Sequence, residues 1–303
     1  MNRKFLIAIV GPTAVGKTQL AIQLAKQFRT SIISADARQM FKELEIGTAK
    51  PSLVELQEVR HYFINTHSIH DNFNAGMFAA QSEQIMNELF QTNDFVVLCG
   101  GSGLYIKALL SGFDSVPQVP REIREEVIAE YQQNGLIGLQ RVVMDVDPEF
   151  YKSVDRSNPQ RLMRALEVFR ACGEPFSSFK STPKKSLPYN VIKIGLSFDR
   201  EELYQRIDKR MDDMIVAGLF EEAKKFYQYK NLNALRTVGY WEIFDCLDGN
   251  YDKTEAIRLL KRNSRRYAKR QLTWFSSDKE ITWFRPDDYE LILHFIKEKS
   301  TIL

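Results

Sequence analysis

The stretch from Phe5 to Thr18, FLIAIVGPTAVGKT, restricts the fold of this chain more than any other. Its first six residues, Phe5 to Val10, are apolar without interruption, the pattern of a strand buried on both faces. Gly11-Pro12-Thr13-Ala14-Val15-Gly16-Lys17-Thr18 follows directly and satisfies G-x-x-x-x-G-K-[ST] in full. A helical pattern comes next, with Leu20, Ile22, Leu24, Ala25 and Phe28 apolar. Strand, glycine-rich turn and helix in that order make a phosphate cradle: the glycines let backbone N–H groups converge on an anion, and the helix N-terminus adds positive potential. Lys17 would reach the outer phosphate and Thr18 Oγ a Mg²⁺ ion. The bland alternative is an ordinary turn between a strand and a helix. The motif names a diphosphate but not a reaction.

Composition bounds the rest. With 303 residues, 44% hydrophobic and 27% charged, the chain reads as a soluble globular protein with one large or two modest domains. A net charge of +3 does not by itself imply nucleic acid, so any basic site must come from local clustering. Cys99, Cys172 and Cys246 are far apart, with neither C-x-x-C nor Cys/His metal spacing, which fits a reducing cytoplasm and gives no structural zinc. Met1 to Lys4 resembles the start of a signal peptide, but the apolar run after it is short and leads into the glycine turn rather than a cleavage site. No run of about twenty apolar residues exists, so no membrane span is expected. A monomer is expected.

Thr30 to Asp36 reads as a second strand ending on an acid, where open α/β sheets place their ligand crevice. Ala37, Arg38 and Gln39 follow at once; alternatively Asp36 merely caps a helix. Pro51 is expected to open a helix over 53–59, and 61–64 is a short strand candidate. His61, His67 and His70 lack useful metal spacing and read as solvated. Residues 74–91 form a one-sided helix. Phe95 to Cys99 is another buried strand, with Cys99 a core residue, and Gly100-Gly101-Ser102-Gly103 is a second anion-friendly turn or a plain tight one.

From Gly112 the texture changes. A proline-bearing linker (114–120) precedes helices at 121–133 and 135–145, a short one from Asp147-Pro148, and one over 160–170 started by Ser157-Asn158-Pro159 and stopped at Gly173. On that last helix Leu162, Ala165, Leu166 and Phe169 make the buried face, while Arg161 and Arg164 share another side. The segment 177–188 is polar and basic and reads as a returning linker. Residues 190–197 return to strand pattern, Asp199 caps a long helix broken at Gly218, and 219–229 is helical. Leu235 to Trp241 is a compact arginine–glycine–aromatic cluster. On the helix 256–275, Arg258, Lys261, Arg262, Arg265, Arg266, Lys269 and Arg270 meet no acid, which favours a polyanionic partner over plain solvation. Residues 281–284 form a last strand. The expected fold is α/β: a mostly parallel, P-loop NTPase-like sheet flanked by helices, built from 1–112 and 190–303, with a helical insertion at 113–189.

Two reactions fit these parts. In a small-molecule kinase Asp36 would activate a hydroxyl while arginines clamp the transferring group. In a diphosphate-displacing transferase the loop would hold the leaving group and Asp36 would take a proton from the nucleophile. The insertion and the basic helix lean towards the second, with a nucleic acid as acceptor. A nucleotide-gated RNA-binding protein is the non-catalytic alternative, and a transferase acting on free adenine nucleotide a further enzymatic one.

GPTAVGKT, SADARQMF, IGTAKP, GGSGLYIKALL, NPQRLMRALEV, LRTVGYWE and KRQLTWF stand in the order and spacing of the tRNA dimethylallyltransferase family, which the chain resembles from about residue 5 to 285. The resemblance implies transfer of a dimethylallyl group from dimethylallyl diphosphate to N6 of the adenosine 3′ of the anticodon, with Mg²⁺ and the anticodon stem-loop of tRNA as partner. It implies that Gly11 to Thr18 binds the diphosphate, with Lys17 on its oxygens and Thr18 on the metal. Asp36 would be the general base, Ser102 would hydrogen-bond the leaving group, and Arg236 would help neutralise it. Asp36, Ala37, Arg38, Gln39, Ser102, Arg124, Gln160, Arg161, Leu162, Met163, Arg164, Arg236, Thr237, Val238, Gly239, Tyr240 and Trp241 match tRNA-contact positions. The adenine would leave its stack to enter a channel between core and insertion. Ala37 departs from the family's usual serine and removes one hydroxyl beside the base. Ser102 stands where threonine is common. The zinc finger of eukaryotic relatives is absent, which favours the bacterial type.

Overall fold

In the computed structural model, residues 4–112, 116–179 and 186–302 are described. Residues 1–3, the start of the 114–120 linker and half of the basic 177–188 segment lie outside them. The elements run β1 (Phe5–Val10), α1 (Lys17–Gln27), β2 (Ile32–Ser34), α2 (Leu53–Glu58), β3 (His61–Tyr62), α3 (Ala75–Thr92), β4 (Phe95–Gly100) and α4 (Gly103–Ser111). They continue with α5 (Arg121–Val146), α6 (Pro148–Ser153), α7 (Pro159–Cys172), β5 (Asn190–Leu196), α8 (Arg200–Val216) and α9 (Leu219–Phe226). The last are α10 (Trp241–Leu247), α11 (Lys253–Ser276), β6 (Thr282–Phe284) and α12 (Tyr289–Ile302).

The six strands form one parallel sheet in the order β3-β2-β4-β1-β5-β6. The fully buried β1 lies between β4 and β5, with Phe5 opposite both Phe95 and Asn190. Successive β1 side chains alternate between faces. Leu6, Ala8 and Val10 enter one apolar cluster, while Phe5, Ile7 and Ile9 enter the other with Leu20 and Leu24 of α1. Each large aliphatic side chain so buried contributes about 1.5–3 kcal/mol.

The carboxyl ends of the central strands are pressed together. A Cβ on Gly100 would lie 2.1 Å from the Ala35 carbonyl oxygen. One on Gly11 (φ +146°) would lie 2.6 Å from that of Leu196. Only glycine lets these turns approach so closely, and that brings the ends of β1, β2 and β4 around one space.

The chain divides into two compact units, 1–110 with 186–303, and 111–185. In the smaller unit, α5 is broken at Gly135 (φ 64°, ψ −167°) into the two helical stretches the sequence pattern suggests. Its core joins Val127, Leu139, Val143, Phe150, Leu162, Met163 and Leu166. The buried Asp147 carboxylate starts α6 by accepting from Phe150 N (3.0 Å) and also binds Ser177 through N (2.8 Å) and Oγ (2.7 Å). Asn158 caps α7 by accepting from Arg161 N, and Gly173 ends it in the left-handed conformation.

Some local expectations are corrected. β2 is only three residues long, so Ala35 and Asp36 belong to the loop beyond it. α2 starts at a capping box between Ser52 and Glu55 rather than on Pro51. Asp199 precedes α8 without a side-chain cap bond, its carboxylate 3.7 Å from Arg285 Nη1. The terminal helix α12 has no counterpart in the sequence reading. No helix among the described residues is long and apolar enough to cross a membrane.

Candidate active site

A cavity of about 240 Å³ opens at the carboxyl ends of β1, β2 and β4. The phosphate loop from Thr13 to Thr18, Ser34, Asp36, Gln39, Gly100 and Gly101 all border it, joined by Arg206 and Arg210 of α8 and by Tyr267 and Gln271 of α11. Ala14 holds φ at +66° and Gly16 at +97°, the left-handed conformations from which anion nests are built. Among the described residues no protein acceptor takes the amides of Ala14, Val15 or Gly16. Thr13 is different: its N–H donates to Gln271 Oε1 (2.8 Å), and its hydroxyl accepts from Arg210 Nη1 (3.2 Å). Arg206 Nε donates to the Ala14 carbonyl (3.2 Å) and so braces the strained residue from outside.

Lys17 Nζ donates to the Pro12 carbonyl at 2.7 Å, within the loop it would share with a diphosphate. Burial lowers its pKa to about 8, against the opposing influence of Cys99 and Asp36 and with Arg210 adding to the depression. Cys99, on the cavity floor, is pushed up to about 12 by burial and stays a neutral thiol. Burial also lowers Arg210, with the Asp36 charge opposing it. Tyr267 is raised to about 12, first by burial and then by Asp36, and so keeps its proton at neutral pH.

Asp36 stands just beyond β2. Its Oδ1 accepts from the amides of Arg38 (2.9 Å) and Gln39 (3.3 Å), an Asx turn that fixes the carboxylate while leaving Oδ2 outside it. The rest of that loop is equally tied. Ser102 Oγ accepts from Ala37 N (2.9 Å), and Gln39 Nε2 donates to the Thr48 (3.3 Å) and Ala49 (3.0 Å) carbonyls. Arg38 Nη1 donates to Ala37 O (2.9 Å) and Nη2 to Arg236 O (3.4 Å), while its buried Nε has no partner. Loop 45–47 is held by one carboxylate: Glu222 accepts from the amides of Glu45 (3.0 Å), Ile46 (2.9 Å) and Gly47 (2.9 Å) and from Tyr240 Oη (2.6 Å).

The residues picked from sequence therefore separate. Gly11 to Thr18, Asp36 and Gln39 gather at one place. Ser102 borders an adjoining groove with Ala37, Arg38 and Tyr105, and its oxygen already serves the Asp36 loop. Arg236 does not border the loop cavity: its side chain is exposed and its carbonyl binds Arg38, so the arginines at the loop, beside Lys17, are Arg206 and Arg210. Tyr240 is fully buried against Gly47 and Glu222, and Leu162 and Met163 lie in the core of the smaller unit. All three side chains are buried. Gly239 is buried as well, Thr237 and Val238 border a neighbouring pocket with Asp36 and Arg38, and Trp241 is 48% exposed. Gln160 and Arg161 are exposed, and Arg124 (3.7 Å) and Arg164 (3.5 Å) converge on the buried Glu167.

The seven cations of α11 are not all acid-free. Arg258 pairs with Glu255 one turn earlier, and Lys261 and Arg265 pair with Asp212 and Asp208 of α8 at 2.7 and 2.5 Å. Arg262, Arg266, Lys269 and Arg270 have no ion pair among the described residues. Sequence reasoning missed Arg206, Arg210, Tyr267, Gln271 and His61. The signal for Gln271 was a polar residue on the buried stripe Leu260, Ser264, Ala268, Gln271, Phe275. His61 borders the cavity with Nδ1 at 2.8 Å from Val59 O and a buried Nε2 without a partner; burial lowers its pKa.

A family described as IPP transferase matches residues 39–278 of this chain. A tRNA dimethylallyltransferase of Cytophaga hutchinsonii is 53% identical over 98% of this chain and 97% of its own length. A tRNA dimethylallyltransferase 1 of Bacteroides fragilis is 44% identical over 98% and 99%. Among solved structures, a tRNA isopentenylpyrophosphate transferase of Bacillus halodurans superposes with TM-score 0.72 at 34% identity, covering 99% of both chains. A eukaryotic dimethylallyltransferase acting on tRNA shares the fold at 24% identity, with TM-score 0.79 over 95% of this chain and 75% of its own.

Proposed function

Since the chain belongs to the IPP transferase family, we propose that it prenylates tRNA by transferring a dimethylallyl group from dimethylallyl diphosphate to N6 of the adenosine 3′ of the anticodon. The observation that carries this reading is one shared cavity: Ala14, Val15 and Gly16, whose amides have no protein acceptor among the described residues, the Lys17 ammonium and the fixed Asp36 carboxylate border the same 240 Å³.

The leaving diphosphate takes the loop amides and Lys17, whose proton is retained more firmly once the anion arrives. Arg206 and Arg210 add charge from α8. The N6 lone pair forms the new bond to C1 of the allylic group as the C1–O bond breaks. The bonding electrons leave with the diphosphate, and the proton lost by N6 passes to Asp36. An exocyclic amine conjugated to a purine is a poor nucleophile, so a base placed before substrate binds matters. Asp36 Oδ2 is the oxygen suited to that role, because the Asx turn occupies Oδ1.

Magnesium asks for hard oxygen ligands and usually keeps water and substrate phosphates around it. Thr18 Oγ borders the cavity and fits that preference, leaving Asp36 Oδ2 free for the proton. Bound there, the ion would neutralise part of the diphosphate charge. On the RNA side, the outward groups Arg124, Gln160, Arg161, Arg164, Arg236 and Trp241 meet phosphates and bases, while Leu162, Met163 and Tyr240 act by packing.

The deciding assay supplies labelled dimethylallyl diphosphate and Mg²⁺ with either unmodified tRNA or AMP. Label on tRNA is expected. Label on AMP alone, or on neither acceptor, overturns the proposal.

A further inference from the structure

Gln271 occupies an unusual place. It lies on the inward face of α11, 7% exposed, in a helix that carries four cations without an ion pair among the described residues, and each end of its amide meets a different loop of the cavity. Oε1 accepts the Thr13 N–H at 2.8 Å and Nε2 donates to the Gly101 carbonyl at 2.9 Å. The fit is close: a Cβ on Gly101 would lie 2.3 Å from Gln271 Nε2, and Gly101 in turn sits beside the Gly11 carbonyl, 3.6 Å from that same Cβ position. One side chain therefore sets the spacing between the two glycine turns.

The same helix segment carries the charges. Arg270 is the adjacent residue, with its guanidinium 5.7 Å from the centre of the Tyr267 ring, and Tyr267 borders both the cavity and the groove beside Ser102. Arg266, Lys269 and Arg270 are exposed. Trp274, one turn on, packs against Gly103, where a Cβ would lie 2.2 Å from its Nε1. α11 is thus clamped to the 100–103 turn at two successive levels, and through Gln271 to the phosphate loop as well.

We infer that Gln271 is a positioning residue that couples RNA bound on the cationic face of α11 to the phosphate loop, so that each substrate tightens the other. The inference rests on the proposed tRNA-prenylating reading. By linkage the effect is reciprocal, and couplings of this kind run from about five- to 150-fold. The two hydrogen bonds span part of that range, and about fivefold is expected here.

The test measures the affinity of inorganic diphosphate with Mg²⁺ for the full chain, alone and saturated with an unmodified anticodon stem-loop RNA. In the wild type the RNA tightens diphosphate binding about fivefold. In Gln271→Met, which keeps the volume and loses both hydrogen bonds, RNA affinity alone is unchanged and the RNA-induced tightening disappears. Gln271→Glu keeps the acceptor for Thr13 N–H but loses the donor to Gly101 and retains part of it. A wild-type protein without tightening, or Gln271→Met with full tightening, overturns the inference. Hydrogen exchange of the 11–18 segment in the wild type needs no variant: RNA alone slows it, and unchanged exchange overturns the inference too. A chain that binds no anticodon RNA at all overturns the functional reading instead, which keeps the two failures apart.

Discussion

Two loops border the same cavity and spend their hydrogen bonds in opposite ways. Among the described residues the phosphate loop leaves the amides of Ala14, Val15 and Gly16 without protein acceptors, and it holds Ala14 in a left-handed conformation that an L-residue adopts at a cost. The 36–39 loop has its backbone tied within the protein: Ala37 N donates to Ser102, the Arg38 and Gln39 amides to Asp36, and the Gln39 side chain to two carbonyls, with the Arg38 Nε the exception. The first is incomplete without an anion. The second is finished and presents one carboxylate oxygen. The proposed reaction, which needs a cradle for a charge that comes and goes and a carboxylate held still, uses both designs.

The largest effect should come from the finished loop. Asp36→Asn keeps the Oδ1 acceptor for both amides and removes only the charge, so turnover on tRNA falls about 10²–10⁴-fold while RNA affinity stays near wild type. Single-turnover kinetics with a parallel binding assay reads this, and unchanged turnover removes Asp36 from the base role. On the open loop, Lys17→Met lowers turnover by about 10²–10³-fold, the effect of deleting one charge-stabilising donor. It also weakens inorganic diphosphate binding, which Asp36→Asn leaves in place.

The two loops also separate by pH. Free Lys17 loses its charge as pH rises through about 8, because burial lowers its pKa from 10.5. The turnover-to-KM ratio for the donor therefore declines above pH 8, about tenfold per unit. At saturating donor the break moves upward, since the bound anion favours the charged lysine. A profile flat to pH 10 contradicts this account. The smallest effect belongs to Ser102→Ala, which leaves the Ala37 amide without its acceptor and loosens the Asp36 loop. A several-fold loss of turnover is expected, restored by Ser102→Thr. Losing an acceptor for a half-buried amide costs about 1–3 kcal/mol at most.

What the sequence showed and hid follows from range. The strand–turn–helix at 5–27 was legible because all its determinants are local: an apolar run, two glycines and one helical face. Asp36 was legible for the same reason, standing a few residues past a buried run. Arg206 and Arg210 were not, because a cation on an amphipathic helix looks the same whether it meets water or a loop nearly two hundred residues earlier in the chain. The α11 charges failed in the opposite direction. Inside 256–275 no acid appears, yet Asp208 and Asp212 arrive from α8 by packing. Tyr240, Leu162 and Met163 sat in motifs carried by resemblance, and a motif does not say which of its members hold the backbone and which face the ligand.

Glu222 gives the 45–47 turn what the phosphate loop awaits. Three consecutive amides and a phenol close around its carboxylate, with no ion pair of its own among the described residues. The turn is an anion nest supplied with its guest by the chain itself, so its shape is settled when folding ends rather than when substrate arrives. Gln39 hangs from the carbonyls of Thr48 and Ala49 just beyond that turn, and Asp36 is bound to Gln39. An internal carboxylate thereby acts as a permanent datum, fixed in advance, against which the position of Asp36 is measured.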